Sequence, residues 1–285
     1  MYLFLKIVLI FRIFKARWIV KLNNTHNIVF DKNAIVDKPN QAFYILGCGS
    51  SINNLTNRQI EIVNKSDSVG INLFIMHDEI TPTYYSVEVS VDSKNPSKDS
   101  NSRIYSDFLR KKASEVSDLK FIISIDGWAN VKQLMPDIHE YGQVNLIQQV
   151  TIPGRNGRFF AELNSFLMSK NISSLMKPEM VFGKNSSLVS LVYMAILRGY
   201  KDIVLCGVDL SSEYFWDGEY GNQRYPGGKH IINLHGKLKH NTDLTVFPVS
   251  EVLRYINTSN LDIKLWVASS ESKLANELPV YPFYD

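Results

Sequence analysis

Cysteine is scarce in this chain, which has two among its 285 residues. Cys48 and Cys206 lie far apart, and each follows a short apolar stretch typical of a strand. Two distant cysteines make no disulfide framework, and the absence of CxxC pairs and Cys/His clusters excludes the common zinc motifs. The sequence therefore predicts a protein of a reducing compartment, in which both cysteines act as small hydrophobic side chains.

An Asp-x-Asp pair is also missing from the whole sequence. Such a pair is the carboxylate clamp expected of an enzyme that holds a nucleotide diphosphate through a metal ion. Its absence predicts a site that uses neither a metal nor another cofactor.

Long apolar runs are missing from residues 1–22, where no uncharged apolar run is longer than Ile7–Phe11. Because a helix needs about 20 apolar residues to span a bilayer and no cleavage site follows, we expect neither a membrane span nor a signal peptide. Apolar bulk with Trp18 and basic side chains is typical of a helix lying in the interface of anionic lipid. The alternative is that this segment packs on the domain, or on a second subunit of a homo-oligomer.

Positive charge is concentrated at the start of the chain. The formal net charge is +3, and the first thirty residues hold five basic side chains and no acidic one: Lys6, Arg12, Lys15, Arg17 and Lys21. The rest of the chain is therefore close to neutral. A nucleic-acid-binding fold would be expected to spread lysine and arginine over one face, so no nucleic-acid partner is predicted.

Strand and helix patterns alternate through residues 41–285, which we predict to form one α/β domain with a mostly parallel sheet, after a basic apolar segment and linker at 1–40. Strands are predicted at Ala42–Leu46, Ser68–Asn72, Tyr84–Val91, Leu119–Ile125, Asp202–Leu205 and Ile263–Val267. Helices are predicted from Thr56, at 106–116, from 187 to Leu197 and at 247–256. Residues 126–180 carry mixed signals, from which no order of helices and strands is predicted. A long polar and aromatic stretch predicts a small lid at about 211–245.

The first predicted strand ends in Gly47-Cys48-Gly49-Ser50. Glycines at a strand end let the backbone approach a ligand, whose phosphate would face the N–H groups of the next helix. The third glycine of the dinucleotide fingerprint and the P-loop lysine are absent, so a purely structural turn is an equal alternative.

A second candidate site precedes an apolar helix at Lys184-Asn185-Ser186-Ser187. Two hydroxyls, the free N–H groups of a helix start and an ammonium together favour an anion. The same residues also make an ordinary N-cap, and both interpretations stay open.

Three histidines, His230, His235 and His240, lie in the predicted lid. Glycines around them break any helix, so their spacing is no helical metal motif. Three histidines in one aromatic loop instead favour acid–base chemistry near neutral pH.

In this order the motifs resemble the bacterial sialyltransferases of glycosyltransferase family 42. The resemblance covers about residues 42–277 in scattered blocks, and its most specific block is 186–209. It rests on the glycine turn, Asn72, Ser-Ser at a helix start, Arg-Gly-Tyr-Lys-Asp-Ile-Val-Leu-Cys-Gly-Val-Asp, His with Asn-Thr-Asp, Ile-Lys-Leu-Trp and Lys-Leu-Ala-Asn.

The resemblance implies a Rossmann-like variant of the GT-A fold with a small lid. It also implies transfer of sialic acid from CMP-sialic acid to a cell-surface glycan, lipooligosaccharide or capsule, with inversion and without a metal. The protein would then work in the bacterial cytoplasm, peripheral at the inner membrane.

The same resemblance implies roles for individual residues. The CMP-sugar donor would contact Gly47, Cys48, Gly49, Ser50, Asn72, Gly207, Asp209 and Ser211, and its phosphate or carboxylate would contact Lys184, Asn185, Ser186 and Ser187. The expected general base is His240, with His235 in reserve. The departing phosphate would be stabilised by Tyr214, Tyr220 or Tyr225.

Two departures from the family pattern leave the sugar acid open. Cys48 stands where relatives have asparagine, and Ser211 stands where a phosphate-binding tyrosine is expected. Legionaminic, pseudaminic and 3-deoxy-octulosonic acid are therefore alternatives to sialic acid. Two other classes stay open: a non-catalytic membrane-associated relative, and a pyrophosphokinase-like nucleotide enzyme, which should need an acidic metal site.

Overall fold

One sheet of eight parallel strands runs through the part of the chain that the computed structural model describes. That part is residues 2–24, 41–89, 110–115, 119–125, 142–154, 157–169, 172, 174–177, 179–184, 186–210, 213–225, 248–259 and 262–283. The strands are β1 (Phe43–Leu46), β2 (Ser68–Ile71), β3 (Tyr84–Val89), β4 (Leu119–Ile125), β5 (Gly142–Thr151), β6 (Met180–Gly183), β7 (Asp202–Cys206) and β8 (Lys264–Val267). Their order in the sheet is β6-β5-β4-β3-β2-β1-β7-β8.

Helices cover the sheet, as expected of a parallel sheet whose strands are apolar on both sides. They are α1 (Tyr2–Asn24), α2 (Asn57–Asn64), α3 (Gly157–Leu167), α4 (Ser187–Leu197), α5 (Gly218–Arg224) and α6 (Val249–Asn257), with short 3-10 helices at Ser50–Asn54, Asn72–Met76 and Lys273–Asn276. The predicted α/β class with a parallel sheet is confirmed, and the architecture is Rossmann-like.

Local sequence signals explain where two of the helices begin. At α2, the Thr56 hydroxyl accepts from Gln59 N at 3.3 Å, while Gln59 Oε1 accepts from Thr56 N at 2.9 Å. This capping box confirms the start predicted at Thr56. At α4, the Ser186 hydroxyl accepts from Leu188 N at 3.2 Å, which makes Ser186 the N-cap.

The structure adds elements where the sequence pattern gave no order. β5 and α3 lie within residues 126–180, between ranges that are not described, and β6 begins at the end of this stretch, at Met180. The predicted strand Ser68–Asn72 is one residue too long, because Asn72 begins a 3-10 helix directly after β2.

One side of α1 packs on the domain. Four of its five buried apolar side chains, Leu9, Ile13, Ala16 and Val20, belong to the main hydrophobic core. Arg12 Nη1 also donates to Thr151 O, at the end of β5, over 2.7 Å. The predicted alternative of packing on the domain is therefore observed for this side of the segment. Among the described helices, none combines the length and the apolar character needed to cross a membrane.

Candidate functional site

The order in which the chain adds strands to the sheet reverses between β1 and β7. From β1 the chain adds β2, β3, β4, β5 and β6 successively on one side, and it then returns to place β7 against the other side of β1. In open parallel sheets ligands bind in the crevice outside the carboxyl ends of the two strands at such a switch point. Here the candidate crevice is the space outside these strand ends, which is bordered by two turns, 47–51 after β1 and 207–210 after β7.

The two turns lie backbone against backbone. Gly47 N donates to Cys206 O at 2.7 Å, and Gly49 N donates to Gly207 O at 2.6 Å. Gly207 has a φ of +62°, and a Cβ there would lie 2.6 Å from Gly47 O. Glycine is therefore required by the contact between the turns, independently of any ligand.

A buried carboxylate fastens the two turns together. Asp209, which is 5% exposed, accepts from Ser51 N at 2.8 Å and also from the Ser51 hydroxyl. From the other side, Ser272 donates its hydroxyl to Val208 O at 2.8 Å. The carboxylate of Asp209 thus positions the first turn.

Backbone strain is present at the same place. Leu210, directly after Asp209, has a φ of 50°, in the left-handed region. This conformation costs a leucine about 1–2 kcal/mol. Strain of this kind persists only where the surroundings hold it, and such positions cluster at functional sites.

A third segment, residues 213–216, lines the first turn. Ser50 N donates to Glu213 O at 3.2 Å, and Phe215 N donates to Cys48 O at 2.9 Å. Tyr214 thereby forms an antiparallel bridge with Gly49. The segment is a wall of the crevice, and it places Tyr214 beside the glycine turn.

The rings of this wall stack on each other. Tyr214 and Trp216 lie parallel, with centroids 4.7 Å apart. Burial raises the pKa of Tyr214, with Cys48 and Asp217 adding to the effect, so its hydroxyl remains protonated and able to donate. Trp216 is fully buried, and its Nε1 has no hydrogen-bond partner among the described residues.

The end of helix α5, which follows this wall in the chain, is anchored to the β2–β3 connection. The Tyr225 hydroxyl donates to Asp78 Oδ1 at 2.9 Å, and Arg224 pairs with Asp78 at 3.0 Å and with Glu79. Burial raises the pKa of the Asp78 carboxyl, but the hydrogen bonds from Arg224 and Tyr225 outweigh it and leave that pKa lowered. The Tyr225 hydroxyl is thus engaged in a structural contact.

His77 packs beneath this anchor and is the one histidine among the described residues. Its ring contacts Phe74, Phe215 and Tyr225, and its Nδ1 accepts from Ile80 N at 3.2 Å. Burial lowers its pKa to about 4, so the ring is neutral near pH 7. Its role is packing.

Cys48 lies between the ends of β1 and β2. Its thiol donates to Ile71 O at 3.4 Å. Burial raises the pKa of this thiol to about 12, while a backbone N–H of Leu73 opposes the shift. The thiol is therefore protonated at neutral pH, and nucleophilic chemistry at Cys48 is not expected.

Lys184 lies at the end of β6, five strands from β1. At about 4.8 Å per strand, that is about 24 Å from the glycine turn. Lys184 is 5% exposed, and its Nζ donates to Ile152 O at 3.1 Å and to Gly154 O. Its ammonium holds the end of β5.

The first turn of α4 lies over the sheet. Ser187 lines a cavity of about 10 Å³, together with Ser86, Ile122, Ile147, Val181, Ser190, Leu191 and Met194. The Ser186 hydroxyl is occupied as the N-cap. The structure therefore brings Ser187 near Ser86 of β3, two strands from β1.

The candidate residues thus fall into three groups. The crevice unites Gly47, Cys48, Gly49, Ser50, Gly207, Asp209 and Tyr214, while Lys184, Ser186 and Ser187 lie around β6 and α4. Asn185, Ser211, His230, His235 and His240 lie outside the described residues, as do the side chains of Asn72 and Tyr220.

Sequence reasoning missed three residues of the crevice. These are Ser51, which binds Asp209, Leu210, with its strained backbone, and Trp216, whose Nε1 has no hydrogen-bond partner in the described part of the chain. Ser51 adjoins the glycine turn, which is the only signal that could have indicated it. The other two depend on contacts that no local pattern encodes.

No three His, Cys, Asp or Glu side chains in the described ranges lie close enough together to hold a metal ion.

The sequence matches no protein-family model and no curated protein. A solved structure described as the MAf glycosyltransferase from Magnetospirillum magneticum AMB-1 is similar over 63% of this chain and 24% of that one. The two share 13% sequence identity with a TM-score of 0.38. A likeness this distant carries no argument about activity.

Proposed function

We propose that this chain is a glycosyltransferase that binds a CMP-activated sugar acid in the crevice between β1 and β7. It transfers sialic acid or a related acid to a cell-surface glycan, with inversion and without a metal, on the cytoplasmic side of a bacterial membrane. The observation that carries the proposal is the switch-point crevice, whose three walls are residues 47–51, 207–210 and 213–216. The order of motifs along the sequence, which resembles that of glycosyltransferase family 42, supports the choice of donor.

The nucleotide is assigned to the glycine turn because that turn lies at the carboxyl ends of β1 and β2. Asn72 follows β2 directly, next to the strand end that Cys48 contacts. Asp209 acts as a positioning residue, since its carboxylate is occupied by Ser51.

The chemistry follows from the proposed donor. The acceptor oxygen bonds to the anomeric carbon as the bond from that carbon to the phosphate oxygen breaks, and CMP leaves with the electron pair. His240 takes the acceptor's proton, with His235 in reserve. Tyr214, whose hydroxyl stays protonated, donates to the departing phosphate.

The start of α4 is proposed to meet the sugar acid. Ser187 is the candidate there, because it faces the cavity beside Ser86, whereas the Ser186 hydroxyl caps the helix. The proposal gives Lys184 a structural role, since its ammonium binds two backbone carbonyls.

Thermal shifts test the donor class. CMP added together with EDTA should raise the melting temperature. A CMP concentration about 100-fold above its dissociation constant stabilises the folded state by about 2.7 kcal/mol. Stabilisation by ATP with magnesium but not by CMP would instead favour the pyrophosphokinase-like alternative.

An activity assay tests the metal-free mechanism. EDTA should leave transfer from a CMP-sugar acid intact. Activity that EDTA abolishes and magnesium restores would contradict the metal-free mechanism.

Paired variants test the general base. His240→Ala should lower turnover by about 10²–10⁴ with little change in CMP affinity, the usual effect of losing a general base. His235→Ala is the matched control and should cost far less. Reversed effects would move the assignment to His235, and no effect of either would count against catalysis by these histidines.

A further inference from the structure

Helix α1 has two opposite apolar sides. The inner side packs on the core through Leu9, Ile13, Ala16 and Val20. The outer side exposes six large apolar side chains by half or more of their surface: Leu3, Phe4, Ile7, Phe11, Phe14 and Trp18. Elsewhere in the described residues, Val280 is the one other large apolar side chain that is exposed.

The outer side chains form one continuous stripe. Residues 4, 7, 11, 14 and 18 alternate in steps of three and four, which places them along one face of a helix. The side chains of this stripe are largely exposed, Phe11 by 72% and Trp18 by 55%. A contiguous exposed apolar patch on a folded domain marks an interaction surface.

Charge decides which partner the stripe fits. Lys15 and Lys21 are exposed on opposite flanks of the stripe, each about 60° from its centre at about 100° per residue. No acidic side chain occurs in the first thirty residues. A second copy of this helix would bring like charges together, whereas anionic lipid headgroups complement them.

We propose that the outer face of α1 inserts into the interface of an anionic bilayer. The helix lies parallel to the membrane surface, with Phe11, Phe14 and Trp18 among the acyl chains and Lys15 and Lys21 extended to the headgroups. The inner side of the helix stays on the core. The proposal does not depend on the nature of the donor.

Co-sedimentation of the full chain with vesicles tests the proposal. The protein should bind phosphatidylcholine vesicles that contain phosphatidylglycerol, and bind vesicles without it much more weakly. Phe11→Glu with Trp18→Glu should abolish binding. Val280→Glu, which replaces an exposed apolar side chain outside α1 with glutamate, is the control for a single added charge and should bind normally.

A second variant separates charge from folding. Lys15→Gln with Lys21→Gln keeps the apolar stripe and should weaken binding to anionic vesicles by about 10- to 30-fold. This variant decides the question if the glutamate variant does not fold. Unchanged binding by a folded glutamate variant, or by the lysine variant, would overturn the proposal. Failure of the wild-type chain to bind any vesicle would overturn it as well. If that chain instead forms dimers that Phe11→Glu dissociates, the outer face of α1 is a dimer contact.

Discussion

Asp209 accepts two hydrogen bonds from Ser51, a residue 158 positions away in the sequence, one from its backbone N–H at 2.8 Å and one from its hydroxyl. The pair joins the turn after β7 to the turn after β1 at the point where the sheet reverses its order of growth. Both residues are buried. The shape of the candidate crevice therefore depends on this contact.

Ser51→Ala should destabilise the fold. Removing the hydroxyl leaves one oxygen of a buried carboxylate without its partner, which costs about 1–3 kcal/mol. Urea unfolding measures the change. Ser50→Ala is the control, because the Ser50 hydroxyl makes no hydrogen bond within the described residues, and it should stay within about 0.5 kcal/mol of the wild type. Equal losses in both variants would show that the contact contributes nothing.

Gly207→Ala should cost more than Gly218→Ala. Both glycines have positive φ values, +62° and +74°, so alanine strains the backbone at each by about 1–2 kcal/mol. Only at Gly207 would the new Cβ also meet a backbone atom, Gly47 O, at 2.6 Å; at Gly218 nothing lies within 4 Å. The contact should add about 1–3 kcal/mol, measured by urea unfolding of the pair. A similar loss at both sites would mean that the turns separate freely.

The sequence predicted the parallel sheet well because its signals there are local. Buried strands such as β1 and β4 are short apolar runs, and Thr56 has the chemistry of a helix cap. β5 was missed, because it is ten residues long and mixes Gln143, Asn145 and Gln148 with apolar residues. Its burial comes from strands on both sides, which a local pattern does not contain.

The candidate site was predictable only in part. The glycine turn and the Gly-Val-Asp turn are visible as sequence motifs, but that they touch follows from β7 pairing with β1. The lysine at the start of α4 looks like an anion ligand because its carbonyl partners, Ile152 and Gly154, are about thirty residues away. Long-range contacts of this kind decide between a binding and a structural role.

Lys184→Met should lower the free energy of unfolding while CMP affinity stays the same. The two carbonyls that Lys184 Nζ contacts lose a buried charged donor, at a cost of about 1.5–3 kcal/mol. Lys65→Met is the control, since Lys65 is exposed and its Nζ pairs with Glu61, four residues earlier, at the surface. Weaker CMP binding with an unchanged melting temperature would instead make Lys184 a donor ligand.

His77 should make stability depend on pH between about 6.5 and 4. Burial lowers its pKa to about 4 in the folded chain, so over this range the unfolded chain takes up a proton that the folded chain does not. Stability is then complete above pH 6.5 and falls by about 1.4 kcal/mol per unit as the pH is lowered to 4. His77→Asn, whose oxygen can accept from Ile80 N in place of Nδ1, should lose this part of the slope in urea unfolding at a series of pH values. Identical slopes in the two proteins would contradict the assignment.

Photo-crosslinking with a light-activated CMP analogue tests the central claim most directly. In the presence of EDTA, the label should saturate, be displaced by CMP and map by mass spectrometry to peptides that contain Gly47–Ser51 or Gly207–Asp209. Label that CMP does not displace, or that maps only to peptides far from the β1–β7 crevice, would contradict the proposed nucleotide site.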